Sequence, residues 1–198
     1  MILSHKTQSI FIHIQKTGGS SIEAALRAKD PDACEVRTES HRRHDSARDV
    51  LPLVPAVVWS RYFKFAFVRN PWERLVSWYQ MCIDSPRPNQ FASYVRVNAP
   101  TFTDFVTRTT TGMGRRTTIN QLEYITDEQG TLLVDFVGRY ENLARDYAIV
   151  RERLGLEHAL PHINASAHGD YQRYFSPETR DVVAQRFARD IAYFGYAF

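Results

Sequence analysis

Apolar positions along the chain gather into three short runs, each followed at once by a stretch with helical spacing. The first run, SIFIHI at 9–14, is compact enough for a buried strand, and the SSIEAALRA after it puts Ile22, Ala25 and Leu26 on one helical face. Ser20 and Glu23 stand at capping-box spacing at the start of that helix. The second run, YFKFAFV at 62–68, is rich in aromatic strand formers and leads directly into RNPWERLVSWYQMCI. There Asn70 suits the N-cap, Pro71 the first helical position and Glu73 the third. Trp72, Leu75, Val76, Tyr79 and Ile83 form the predicted apolar stripe, leaving Ser77 on the other face with Glu73 and Gln80. The third run, LLVDFVGRYE at 132–141, precedes a helical pattern carried by Leu143, Tyr147, Val150 and Leu154. The closing SPETRDVVAQRFARDIAYFGYAF predicts one packing helix that opens at Ser176 and Pro177, buries Val183, Phe187 and Ile191, and stops at Gly195.

Three strand-to-helix units in a row predict an α/β fold of three layers, a central parallel sheet covered by helices, with ligands bound beyond the carboxyl ends of the strands. At 198 residues the expectation is a single domain spanning 1–198. Two segments look irregular: 29–50, dense in Arg, His and Asp, and 85–118, rich in Pro, Thr and Arg. Long loops of this kind serve as lids or binding surfaces.

Composition narrows the class without changing this picture. Apolar residues make up 43%, aromatic 13% and charged 24%, a globular balance. The net charge of +3 suits an anionic ligand but is too weak to argue for nucleic acid. Cys34 and Cys82 stand too far apart in the chain for a CxxC metal motif, and two cysteines make no disulfide framework. Ser4, His5, Lys6 and Gln8 interrupt the first residues, so no signal peptide is expected. No apolar run approaches the roughly 20 residues of a membrane helix.

The chemistry concentrates at FIHIQKTGGSSIEAAL, residues 11–26. A loop between a strand and a helix N-terminus presents backbone N–H groups toward the positive end of the helix dipole, a natural anion site. Gly18 and Gly19 allow close approach, Thr17, Ser20 and Ser21 add hydroxyls, and Lys16 brings a full charge. The Walker A order places lysine after the last glycine, whereas here it comes before them. ATP hydrolysis is therefore disfavoured, and the catalytic-loop residues of protein kinases are absent as a set.

IQKTGGSS resembles the 5′-phosphosulfate loop of sulfotransferases that use 3′-phosphoadenosine 5′-phosphosulfate (PAPS), and FAFVRNPWERLVSWY resembles their 3′-phosphate motif. The two agree in order, spacing and predicted context. LVDFVGRYENLARD, LPHIN and FGYAF are similar to the carbohydrate-acting, Golgi-type branch and its bacterial relatives, so the resemblance spans most of the chain. It implies that Lys16, Thr17, Gly18, Gly19, Ser20 and Ser21 hold the 5′-phosphosulfate, with Lys16 stabilising charge on the bridging oxygen. It further implies that Arg69 and Ser77 bind the 3′-phosphate and that Asn164 and Ser166 form a third cofactor contact.

The implied reaction moves a sulfuryl group from PAPS to a hydroxyl of a carbohydrate or glycolipid, releasing 3′,5′-adenosine bisphosphate (PAP). In-line transfer needs a base for the acceptor proton and a cation where the phosphate leaves; it requires no metal. His44, in SHRRHDSARDV, lies where relatives place a catalytic histidine, with His41 its close rival and Glu35, Glu39 and Asp45 as carboxylate alternatives. The segments 29–50 and 85–118, the latter with Arg87, Arg96, Arg108, Arg115 and Arg116, are the expected acceptor-facing surfaces. Without an anchor of the animal type, the chain is expected in the cytoplasm, a setting compatible with peripheral membrane contact. A competing expectation is a non-catalytic module that binds the nucleotide and an anionic glycan.

Overall fold

The computed structural model describes residues 1–38, 44–109, 119–157, 159–160 and 170–198. They fall into two compact units, Met1–Arg69 with Gln121–Ala165, and Asn70–Asn120 with Ser166–Phe198.

The first unit is built on a mixed sheet. Strands β1 (Ile2–Ser4), β2 (Ser9–Ile12), β3 (Cys34–Glu35), β4 (Phe63–Val68) and β5 (Phe136–Arg139) lie in the order β3-β1-β2-β4-β5. The middle is parallel as expected: β2 pairs with β4 from Ser9–Phe63 to Ile12–Ala66, and β4 with β5 from Phe65–Phe136 to Val68–Arg139. The other edge departs from a purely parallel sheet, because β1 pairs antiparallel with both β2 and β3. Of the residues that interrupt a signal-peptide pattern, Ser4 ends β1 and His5, Lys6 and Gln8 lie in the turn of this hairpin, where Gln8 adopts φ 48°. Helices α1 (Gly19–Lys29) and α7 (Leu143–Leu154) supply Ile22, Leu26, Tyr147, Val150 and Leu154 to a core completed by Phe11, Phe65 and Phe67 from the strands. That burial is the reason for the apolar spacing of both helices. Two short helices, α2 (Ala47–Val50) and α3 (Ala56–Arg61), lie in the connection to β4.

The second unit is helical: α4 (Pro71–Asp84), α5 (Gln90–Asn98), α6 (Phe102–Arg108), α8 (Pro177–Arg186) and α9 (Ala188–Phe194). Asn70 caps α4, accepting from the Trp72 N–H at 3.0 Å with Pro71 at the first position, as the sequence predicts. The face assignment on α4 is corrected, for Arg74, Ser77, Trp78 and Cys82 are buried along with Trp72, Leu75 and Val76. The irregular reading of 85–118 is corrected too. Asn89 and Thr101 cap α5 and α6 by accepting from Ala92 and Asp104 N–H groups at 2.8 and 3.1 Å, leaving 110–118 outside the described residues. The closing helix is two, broken at Phe187, with Phe194 rather than Ile191 buried beside the Gly195 stop.

Candidate functional site

Because β2 and β4 run parallel and adjacent, the loops leaving their carboxyl ends emerge side by side, carrying Lys16 and Arg69. After Ile12 the chain turns through residues 13–18 into α1. Thr17 is fully buried and its hydroxyl donates to the Ile14 carbonyl at 2.9 Å, so this residue braces the turn. Lys16 adopts φ 67°, the left-handed region that a side chain with a Cβ rarely enters. Gly18 follows at φ 82° and is the N-cap of α1. The predicted Ser20–Glu23 capping box is therefore displaced: the helix begins two residues earlier than that pattern requires, and glycine has no side chain with which to cap. The first turn carries no acidic residue, which keeps the end of α1 electropositive.

The two glycines are required for different reasons, Gly18 chiefly by its positive φ and Gly19 by a close neighbour. A Cβ on Gly18 would lie 3.3 Å from Leu143 and 3.4 Å from Tyr140, in addition to the strain of its φ. Gly19 has no positive φ, but a Cβ there would stand 2.1 Å from Cδ2 and Nε2 of His13. Ser20 and Lys16 are half-buried, and Ser21 is buried.

Arg69 directly follows β4, is buried, and is held from three directions. Its Nη1 donates to the Lys16 carbonyl at 3.3 Å, and its guanidinium stacks 3.8 Å from the centre of the Tyr140 ring. The Gln121 amide brackets its main chain, Oε1 accepting from the Arg69 N–H at 2.8 Å and Nε2 donating to its carbonyl at 2.7 Å. Tyr140 thus touches both the glycine loop and the arginine. The motifs that point to this site from the sequence do not include Tyr140, Gln121 or His13. For Tyr140 the position just past a strand end was an available signal; nothing local marks Gln121.

His44 is half-buried beside this loop. Its Nδ1 is 2.9 Å from the His13 carbonyl, and the two imidazoles meet edge to face with centres 4.6 Å apart. Among the carboxylate alternatives, Asp45 is buried and accepts from the Thr38 N–H and hydroxyl at 2.8 and 3.0 Å, while Glu35 pairs with Arg37. Ser77 belongs to the second unit, where it is buried on α4. His41, Glu39, Asn164, Ser166, Arg115 and Arg116 lie outside the described residues. Among the described residues no group of three or more His, Cys, Asp and Glu could hold a metal ion, and no helix is long and apolar enough to cross a membrane.

A phosphate-type loop and a buried arginine at neighbouring strand ends invite comparison with known proteins. A model described as the sulfotransferase family matches residues 1–197. The chain belongs to the sulfotransferase family. Its fold is similar to that in a crystal structure of mouse sulfotransferase SULT7A1 complexed with PAP, with a TM-score of 0.51 at 14% identity over 96% of this chain and 85% of the mouse chain. An uncharacterised protein of Archaeoglobus fulgidus is 29% identical over 122 residues, 57% of this chain and 84% of that one. The family carries sulfuryl transfer as its chemistry, and the mouse likeness establishes a shared α/β fold.

Proposed function

We propose that this sulfotransferase moves the sulfuryl group of PAPS to a hydroxyl of a carbohydrate or glycolipid. The observation that carries the reading is the junction of Lys16 and Arg69. A strained lysine, one glycine at positive φ and another with no room for a side chain, and a helix N-terminus meet a buried guanidinium at one pair of strand ends. A donor with two separate anionic groups, a 5′-phosphosulfate and a 3′-phosphate, matches two adjacent cationic positions. The PAP in the mouse structure and the resemblance of LVDFVGRYENLARD to the carbohydrate-acting branch support the donor and the acceptor class respectively.

In this reading the loop from Lys16 to Ser21 holds the phosphosulfate through its N–H groups and hydroxyls, and Arg69 takes the 3′-phosphate. His44 serves as base. A carbonyl oxygen only accepts, so the contact to His13 assigns the proton to Nδ1, and neutral His44 carries its lone pair on Nε2. Nε2 removes the acceptor proton as the acceptor oxygen bonds to sulfur. The bridging S–O bond breaks with its electron pair to the phosphate, where the Lys16 ammonium balances the new charge. The occupied carboxylates of Asp45 and Glu35 favour the imidazole over them.

The test follows [35S]sulfate from labelled PAPS into a panel of octyl glycosides, with aryl alcohols as controls. Label should enter at least one glycoside, and Lys16→Ala and His44→Ala should each lower turnover by about 100-fold or more. Wild-type turnover in either variant contradicts its assigned role, and label entering only aryl alcohols contradicts the acceptor class.

A further inference from the structure

His13 lies on none of the surfaces that motif reading selects, yet three parts of the site converge on it. It follows β2 directly and is buried, its ring stacked on Phe11 with centres 5.4 Å apart. The Cδ2–Nε2 edge occupies the space that a side chain at Gly19 would need, 2.1 Å from the ideal Cβ position. The opposite nitrogen, Nδ1, is 3.7 Å from the Glu23 carboxylate, which is itself held by Arg27 at 3.1 Å. Across from these contacts stands the His44 ring, packed edge to face at 4.6 Å and bonded through its Nδ1 to the carbonyl of the same His13.

We propose that His13 is a positioning residue for sulfuryl transfer: one buried imidazole that carries the donor loop at Gly19 on one edge and orients the His44 base beside it. The inference rests on the assignment of His44 as base and of residues 16–21 as the donor loop. Transfer demands that the base and the sulfur stay in register, since displacing a reacting group by about 1 Å can cost 100-fold in rate. A shared support meets that demand, because a movement of the ring carries loop and base together. The main-chain carbonyl of His13 accepts from His44 Nδ1 only while that ring is held facing it, and the edge-to-face packing of the His13 ring is what holds it there. Gly19 is then explained as the residue that lets α1 begin in contact with the imidazole, and no backbone φ requires glycine there.

The readout is the tautomer of His44, observed by long-range 15N–1H correlation in the full chain saturated with PAP and assigned by the loss of its signals in His44→Gln. The wild-type protein should show His44 with a protonated Nδ1 and an unprotonated Nε2. His13→Ala should abolish that single pattern while PAP still binds saturably by calorimetry, a separation that a general loss of structure cannot produce. His13→Asn, whose amide can replace Nδ1 before Glu23, tests the same ring removal should the alanine variant fail to fold. Gly19→Ala should weaken PAP about tenfold or more alone and far less in the His13→Ala background, where the obstructing ring is gone. An unchanged His44 tautomer in both His13 variants overturns the proposal, as does a Gly19→Ala effect of the same size in either background. Failure of the wild-type chain to bind PAP would instead refute the donor assignment, and the His44 spectrum of the nucleotide-free chain would still report on His13.

Discussion

Replacing Lys16 by glycine should leave the protein more stable than replacing it by alanine, and unable to transfer sulfate. Lys16 holds φ 67°, and a residue with a Cβ in the left-handed region costs about 1–2 kcal/mol that glycine does not incur. Glycine also loosens the unfolded chain, which offsets about 0.4–1 kcal/mol of that gain. The balance favours Lys16→Gly over Lys16→Ala by about 1 kcal/mol, since both variants remove the ammonium and differ only in backbone freedom. For a chain of this size the difference corresponds to about 2–4 °C in Tm. The two variants should be compared by thermal unfolding without nucleotide and by [35S]sulfate transfer. Glycine should melt higher than alanine, and both should have lost about 100-fold or more of the activity. Equal Tm values, or an alanine variant that melts higher, would refute the claim that strain is stored at this position, and a glycine variant with wild-type turnover would refute the role of the ammonium. A strained residue persists only where its surroundings over-determine it, and here the braced Thr17 and the carbonyl contact to Arg69 do so.

Three further outcomes follow from contacts around the site. Arg69→Lys keeps the charge but loses the flat guanidinium over Tyr140, so PAP affinity should fall about tenfold by calorimetry, and an unchanged Kd would refute the stacking argument. Tyr140→Leu should weaken PAP in the same direction, while Tyr140→Phe should bind as the wild type does, because the ring face and not the hydroxyl meets Arg69. Asp30 has its carboxyl held below the usual range chiefly by the Ser4 hydroxyl, which donates to it at 2.6 Å. A depressed folded value gives stability that is present above the unfolded pKa of about 3.9 and is lost as pH falls through the folded one, so Ser4→Ala should raise the pH midpoint of acid unfolding.

The strand-to-helix alternation was legible because it is local: Phe11, Ile22 and Leu26, or Tyr147 and Val150, announce their faces within one element. The antiparallel hairpin at β1 was not, since three apolar residues before a polar turn carry too little periodicity to mark a strand. The helices α5 and α6 were hidden by the Pro, Thr and Arg around them, although Asn89 and Thr101 are ordinary N-cap residues. On α4 a single stripe was expected, but burial extends around the helix to Arg74 and Ser77, which only tertiary packing decides. In the candidate site, Lys16 to Ser21 and Arg69 stand out in the sequence because each belongs to a contiguous motif. Tyr140 and Gln121 reach Arg69 from 71 and 52 positions away in the sequence, and His13 matters through the shapes of Gly19 and His44; apart from the place of Tyr140 just past a strand end, none of this leaves a local signature.

The central claim, that one pair of strand ends holds a donor with both a 5′- and a 3′-phosphate, is tested most directly by calorimetric titration of the full chain with PAP and with 5′-AMP. PAP should bind saturably at a single site and at least about tenfold more tightly than 5′-AMP, and Arg69→Ala should abolish that preference. Absence of saturable PAP binding, or equal affinity for the two nucleotides, would contradict the account.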